Sequence, residues 1–294
     1  MKRLIFALTI IATVFVSSGF AYDTSSLLKP VGSVSEYTKT DYTITEKFGD
    51  YYRSPKAKFV HTFDASGKQI EEKELTNKDA LVDKIVYAYD AAGNLTLVTA
   101  SDADGKLLWK KTASYDDKGN KTEESEFNAG EILVSKSIWK LTSGKQSEKS
   151  NYDVEGALLG KIITKFDEQD RDSEVCEYSA DGNLSQKLIY TYNEAGKLSE
   201  VAYYDENETL KQRLVYRFDT SFAVTEEQTY DAENKLRERV IYKYDAEGNI
   251  TRTTKYAVAE KFGGIVNELI DINEFSYKYG SETVPVVTTE IAPM

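Results

Sequence analysis

The chain has one cysteine, one histidine, two tryptophans and four prolines among 294 residues. A single thiol, Cys176, excludes an internal disulfide and any cysteine-rich metal site. A single imidazole, His61, excludes zinc centres that need several histidines. No stretch after residue 16 is long and apolar enough for a helical membrane span, which takes about twenty residues. No G-x-S-x-G, H-E-x-x-H or Walker pattern occurs. Excess positive charge is also missing. The 37 Lys and Arg face 49 Asp and Glu, for a net charge of -12, which argues against nucleic acid and anionic membrane surfaces as partners.

What is present begins at the N-terminus. Met1-Lys2-Arg3 precedes an apolar run from Leu4 to Val16 and a small-x-small exit at Gly19 and Ala21. This pattern predicts a secretory signal peptide over residues 1–21, with no membrane span left after cleavage. Cleavage would remove Lys2 and Arg3 and take the net charge from -12 to -14. The expected location is extracytoplasmic: periplasmic, secreted or on the cell surface.

The rest is a repeat. Phrases of the type Tyr-Asp-x-x-Gly-x-Leu open at Phe63, Leu75, Tyr89, Ser101, Tyr115, Phe127, Lys140, Tyr152, Phe166, Tyr178, Tyr192, Tyr204, Phe218, Tyr230, Tyr244 and Tyr256. Spacings alternate between 12 and 14, with one 13 after Phe127, so the period is 26. Asp starts a turn because its carboxylate can accept from the backbone two residues on. Gly four residues after the opening position supplies the left-handed residue of a type I turn with a bulge. Asp79, Asp170 and Asn234 stand where other phrases have that Gly. This geometry makes Tyr89 and Leu95 cross-strand partners, and likewise Tyr152 with Leu158, Tyr178 with Leu184, Tyr192 with Leu198, Phe218 with Val224 and Tyr244 with Ile250. Between turns, segments such as Arg239 to Asp245 alternate with period two, as strands do.

The predicted fold is therefore all-β: an antiparallel meander of about sixteen to twenty short strands, built from 26-residue hairpins and curled or coiled as an open sheet. Even spacings predict that every opening aromatic lies on one face, with the lost residue of the 13-residue interval placed in the Phe127 turn. The other face is expected to be polar. The predicted domains are a linker over 22–36, the repeat array over 37–284 with an irregular hairpin or short helix at about 257–272, and a tail over 285–294.

The phrase resembles the YD repeats of the Rhs family, most clearly at Tyr89 to Leu95 and Tyr244 to Ile250. MORN-type repeats are a looser second match. The Rhs resemblance implies strand-turn-strand units that spiral into a shell on secreted or surface proteins. Two features depart from it: Asn or Lys follows the Gly where Arg is common in that family, and no cleavage-core motif or toxin domain follows the repeats.

No catalytic, cofactor-binding or metal-binding residue is assigned. His61 reads as a lone imidazole next to the polar face, without partners for catalysis. Cys176, two residues before Tyr178, reads as a buried inert thiol. The Asp-Gly pieces near Asp104 and Asp181 echo calcium loops but lack the further oxygen ligands such loops need. The expected function is that of an exported, non-enzymatic binding scaffold with no cofactor and a protein or glycan partner. The alternatives are carbohydrate binding through exposed tyrosines and a stand-alone Rhs-like shell fragment.

Overall fold

The computed structural model describes residues 29–261 and 263–280. The signal-peptide region and the C-terminal tail lie outside the described residues. Eighteen strands follow one another: β1 (Val34–Lys47), β2 (Asp50–Phe63), β3 (Gln69–Thr76), β4 (Leu81–Tyr89), β5 (Leu95–Asp102), β6 (Leu107–Tyr115), β7 (Lys121–Asn128), β8 (Leu133–Ser143), β9 (Gln146–Tyr152), β10 (Leu158–Phe166), β11 (Asp172–Ser179), β12 (Leu184–Tyr192), β13 (Leu198–Asp205), β14 (Leu210–Phe218), β15 (Val224–Asp231), β16 (Leu236–Tyr244), β17 (Ile250–Lys261) and β18 (Gly264–Tyr279). No helix occurs among the described residues. The expected insertion over 257–272 is instead the end of one long hairpin, β17 and β18 pairing down to Lys261↔Gly264. The first strand begins at Val34, inside the expected linker.

The turns form as the sequence dictates. In the Asp90 turn, Asp90 N–H donates to the Asn94 carbonyl at 2.9 Å and Gly93 N–H to the Asp90 carbonyl at 3.0 Å. Gly93 sits at φ +92, where a side chain would be strained. Asp79, Asp170 and Asn234 take the same left-handed conformation. In the Phe127 turn that role falls on Glu131, not Gly130.

Two expectations fail. The sheet is not open: β1 pairs antiparallel with both β2 and β18, from Val34↔Tyr279 to Tyr42↔Ile272 on the second side, and the meander closes into a barrel. Eighteen strands spaced ~4.8 Å and tilted ~40° give a circular section ~35 Å across at the backbone. Closure removes both sheet edges and encloses one face. The seam is marked by rings: Tyr37 stacks on His61 at 4.3 Å and contacts Phe63, Phe275 and Tyr277.

The aromatics also do not share a face. Beyond the turn bulge, every hairpin except β1–β2 and β8–β9 carries a second β-bulge one residue past the Leu-type partner. Tyr192 pairs with Leu198, but Thr191 pairs with Glu200, so Ser199 is extra. One extra residue flips the strand. Phe63, Tyr89, Tyr115, Phe166, Tyr192, Phe218 and Tyr244 therefore face one way, and Phe127, Tyr152, Tyr178, Tyr204, Tyr230 and Tyr256 the other. At one end of the barrel residues such as Val82, Leu108 and Lys211 hold the bulge site, whereas at the other end the bulge has a sequence mark that the period-two count ignores. Thr96, Thr122, Ser173, Ser199, Thr225 and Thr251 recur at that site, and each hydroxyl donates to the carbonyl eight residues back at 3.0–3.3 Å. The odd interval has the same origin. Leu141, not Lys140, holds the opening position, opposite Ser147, and β9 runs on to Lys149 without the bulge after the turn.

The first set lines the inside. The buried apolar side chains Phe63, Leu188, Val201, Tyr203, Leu214, Tyr216, Val224, Tyr242 and Ile250 all share its face. Inner tyrosines also tie consecutive hairpins together at the end where their strands part. Tyr89, Tyr115, Tyr192, Tyr244 and Tyr277 donate to the carbonyls of Gln69, Leu95, Asp172, Val224 and Ile250 at 2.7–2.8 Å.

Candidate functional site

The outer wall carries a belt of cations. Lys58, Lys84, Lys110, Lys136, Lys161, Lys187, Arg213 and Arg239 recur once per repeat, spaced 26 residues apart except for one interval of 25. All eight stand directly opposite an outward-facing opening residue, from Leu75 through Tyr256. Four lie over its ring: Lys110 over Phe127, Lys161 over Tyr178, Lys187 over Tyr204 and Arg213 over Tyr230, at 5.2–5.9 Å. A carboxylate row flanks this belt, giving pairs such as Lys136–Glu123 at 2.7 Å, Arg213–Glu200 at 2.9 Å and Arg239–Glu226 at 2.5 Å. The period-26 cation was legible in the sequence, but only once register had told one face from the other.

The inner wall divides into two arcs. Strands β12 to β18 with β1 and β2 carry most of the buried apolar cluster. Strands β3 to β11 are far more polar, and water reaches this arc: the Lys111 and Lys121 side chains keep 31% and 30% exposure. Barrels of about 16–18 strands are wide enough to leave an aqueous interior.

His61 lies on the inner wall, not beside the polar outer face, because its parity is that of Phe63. It does have partners. Its Nδ1 lies 3.2 Å from Gln69 Nε2 and 3.5 Å from Glu72 Oε2, and Tyr87 donates to the same Glu72 oxygen at 3.2 Å. Burial pushes the imidazole pKa down; Glu72 and Gln69 oppose this and Lys39 reinforces it. No nucleophile joins the cluster. Cys176 is buried and its thiol is pushed up by burial, but it shares the outer face with Tyr178. The structure therefore does not bring the thiol and imidazole together.

The second polar cluster spans β6 to β9. Trp109, Lys111, Lys121, Glu124, Glu126, Trp139 and Lys149 all face inward. Lys121 binds Glu124 at 2.8 Å and Lys111 lies 3.4 Å from Glu126. Lys121 and Lys149 lie 5.2 and 5.0 Å from the centre of the Trp139 ring. Lys149 has no carboxylate within ion-pair distance among the described residues. Burial pushes its pKa down, and Lys111 and Lys121 add to that against Glu124 and Glu177. The sequence reading missed this cluster, because Lys121, Trp139 and Lys149 belong to three different strands.

Among the described residues no three His, Cys, Asp or Glu are arranged to hold a metal ion. In the Asp102 turn, the Asp102 carboxylate accepts from Asp104 N–H at 3.1 Å and Lys106 N–H at 2.9 Å, so that oxygen serves its own turn.

No protein-family model matches the sequence, and no curated protein does, so the Rhs-type likeness rests on the turn phrase alone. Among solved structures, a porin-like protein from Bacteroides uniformis is 11% identical, with 85% of this chain and 99% of that one covered and a TM-score of 0.46. A DUF1329 family protein from Desulfovibrio piger is 9% identical over 88% and 92%, with a TM-score of 0.24. The TcdB2-TccC3-TEV structure is 13% identical over 73% of this chain and 17% of that one, with a TM-score of 0.19. Likeness at this level carries no inference about function.

Proposed function

We propose that the protein is an exported, non-enzymatic binding protein: a barrel that stands in water, outside the cytoplasm, and holds its ligand against the inner wall. The observation that carries this reading is the outer belt of eight Lys and Arg with its carboxylate row. A lipid-facing barrel needs an uninterrupted apolar band about 25 Å tall. Each Lys or Arg costs about 2–4 kcal/mol at the bilayer midplane and about 0–1 kcal/mol near the interfaces, so the eight cations and the carboxylate row beside them all count against a lipid-facing wall. An outer face built this way suits water, and the open polar arc is then the surface left for a ligand. Carbohydrate binding through outer tyrosines has less support, because Lys and Arg side chains already lie over Tyr178, Tyr204 and Tyr230.

The test is partitioning. The mature chain from Tyr22 should stay in the aqueous phase of a Triton X-114 separation and add no conductance to planar bilayers. Recovery in the detergent phase with stepwise conductance would overturn the proposal. Fractionation of expressing cells, with mass spectrometry of the N-terminus, tests the export step.

A further inference from the structure

We propose that two long hairpins at one end of the barrel seat the protein on a zwitterionic lipid surface, through Phe48, Tyr51, Tyr52, Ile265 and Val266. The seat presupposes a barrel that stands in water and is independent of what the inner wall holds.

The first observation is reach. Nine hairpins turn at this end, and seven of them close on the short turn of the repeat. The other two run on as fingers. Pairing of β2 with β3 stops at Ala57↔Thr76, yet β2 continues with β1 to Lys47↔Asp50. Pairing of β17 with β16 stops at Glu238↔Ala257, yet β17 continues with β18 to Lys261↔Gly264. At ~3.3 Å per residue the fingers extend roughly 13–23 Å past those last partners. They are neighbours, because β1 and β18 pair as far as Tyr42↔Ile272. Their bases are clamped: Tyr42 donates to Glu274 Oε2 at 2.8 Å, and Arg53 pairs with the same carboxylate. Nearer the tips, the Lys261 pKa is pushed up by its partner Glu268 and further by Glu46 and Tyr51 of the other finger.

The second observation is what the tips carry. Phe48 is fully exposed and sits at φ +56 in a two-residue turn, with Gly49 at φ +85. Asn or Asp suits that position, and Phe strains it while burying nothing. Tyr51, Tyr52, Ile265 and Val266 are exposed as well. The tetrapeptide Glu-Lys-Phe-Gly occurs twice in the chain, at 46–49 and 260–263. The other seven turns of this end each carry a carboxylate, as at Asp104, Glu131 and Asp181, and none carries an aromatic residue.

Charge and shape then select the partner. An acidic rim repels anionic lipid, and it repels the rim of a second copy meeting it head to head. The fingers hold that rim off a surface by more than the ~8 Å over which charge acts in physiological salt. A bilayer accepts two adjacent tips without matching their outlines, whereas a protein groove would have to fit both. Apolar apices enter the interface, tyrosines rest at headgroup level, and Lys47 and Lys261 reach lipid phosphates.

Flotation of the full mature chain with phosphatidylcholine vesicles tests the seat. The parent should float in low salt and in 0.5 M salt. Phe48→Gly should cut the partition coefficient about tenfold, and adding Ile265→Ser should abolish flotation. Glycine relieves the turn, so the urea midpoint of Phe48→Gly should lie at or above that of the parent, which separates lost seating from lost folding. Phe222→Gly, at the opposite end of the barrel, should leave flotation unchanged. A parent that does not float overturns the proposal, as does flotation that survives the double substitution. Binding confined to phosphatidylglycerol vesicles and lost in 0.5 M salt overturns it too, since that would belong to the cation belt. A parent dimer in sedimentation velocity that the double substitution dissociates would make the fingers a contact between copies and overturn the lipid seat. Detergent-phase recovery and stepwise conductance retained by the double variant would instead overturn the water-standing barrel on which the seat rests.

Discussion

Replacing the inner tyrosine latches by phenylalanine tests how the hairpins are joined. At the end of the barrel where β5 and β6 part, their ladder stops at Leu97↔Thr112. The Tyr115 hydroxyl closes the gap by donating to the Leu95 carbonyl at 2.8 Å, and the other four latches repeat the contact. Loss of one such hydrogen bond costs about 0.5–1.5 kcal/mol. Successive latches are at least two strands, roughly 10 Å, apart, far enough for their effects to add within a few tenths of a kcal/mol. The fivefold Tyr→Phe variant at 89, 115, 192, 244 and 277 should therefore lose about 5 kcal/mol, comparable to the whole stability of many domains. Urea unfolding followed by circular dichroism reads this as a lower midpoint at unchanged slope. Tyr204→Phe is the control, since Tyr204 faces outward against Lys187. The reasoning is refuted if the fivefold variant loses less than about 1.5 kcal/mol, or if Tyr204→Phe costs as much as Tyr115→Phe.

Three further outcomes follow from named residues. Phe222 holds a left-handed conformation at φ +61, which costs a side chain about 1–2 kcal/mol. Phe222→Gly should therefore raise stability by up to about 1 kcal/mol in thermal melts, and a lower melting temperature would contradict the turn assignment. Thr122→Val deletes the bulge hydroxyl that reaches the Ser114 carbonyl and should cost about 1 kcal/mol; a neutral result would mean that the bulge does not depend on it. Burial lowers the pKa of folded His61 below its ordinary value, which is about 6.5. As pH falls through that value the unfolded chain takes up a proton that the folded chain refuses, so this residue makes stability fall with acidification until the lowered folded pKa is passed. Urea midpoints between pH 7.5 and 5 should therefore slope less in His61→Phe than in the parent, and equal slopes would count against a desolvated imidazole.

The turns and their partners were legible from the sequence because each depends on a few adjacent residues. Asp90, Gly93 and the Tyr89–Leu95 pair fall where the phrase puts them. Faces were not legible by counting, because one bulge per turn reverses parity. The hydroxyl that marks six of the bulges, such as Ser199 on the Thr191 carbonyl, is an ordinary Ser or Thr until its period is noticed, and other bulges carry residues such as Val82 and Leu108 that give no such sign. Closure was equally hidden. It depends on Val34 to Tyr42 meeting Ile272 to Tyr279, segments that lie outside the regular phrases and are the most distant pair in the array. His61 was misread for the same reason: its stacking partner Tyr37 belongs to β1, and Glu72 reaches it from β3. Local chemistry can be read from a stretch of sequence, but which side chains share the inside requires register around the ring.

The seam between β1 and β18 also sets a rule of growth. Two antiparallel neighbours must run in opposite directions, so an up-and-down ring can close only on an even number of strands. One repeat adds two strands, and thus any whole number of 26-residue units preserves closure while half a unit does not. Each added unit would lengthen the circumference by two tilted strand spacings and widen the bore by ~4 Å. Duplication or loss of units thus yields a family of rings graded in calibre, in which bore is a heritable, stepwise quantity and the ligand that fits is chosen by counting repeats.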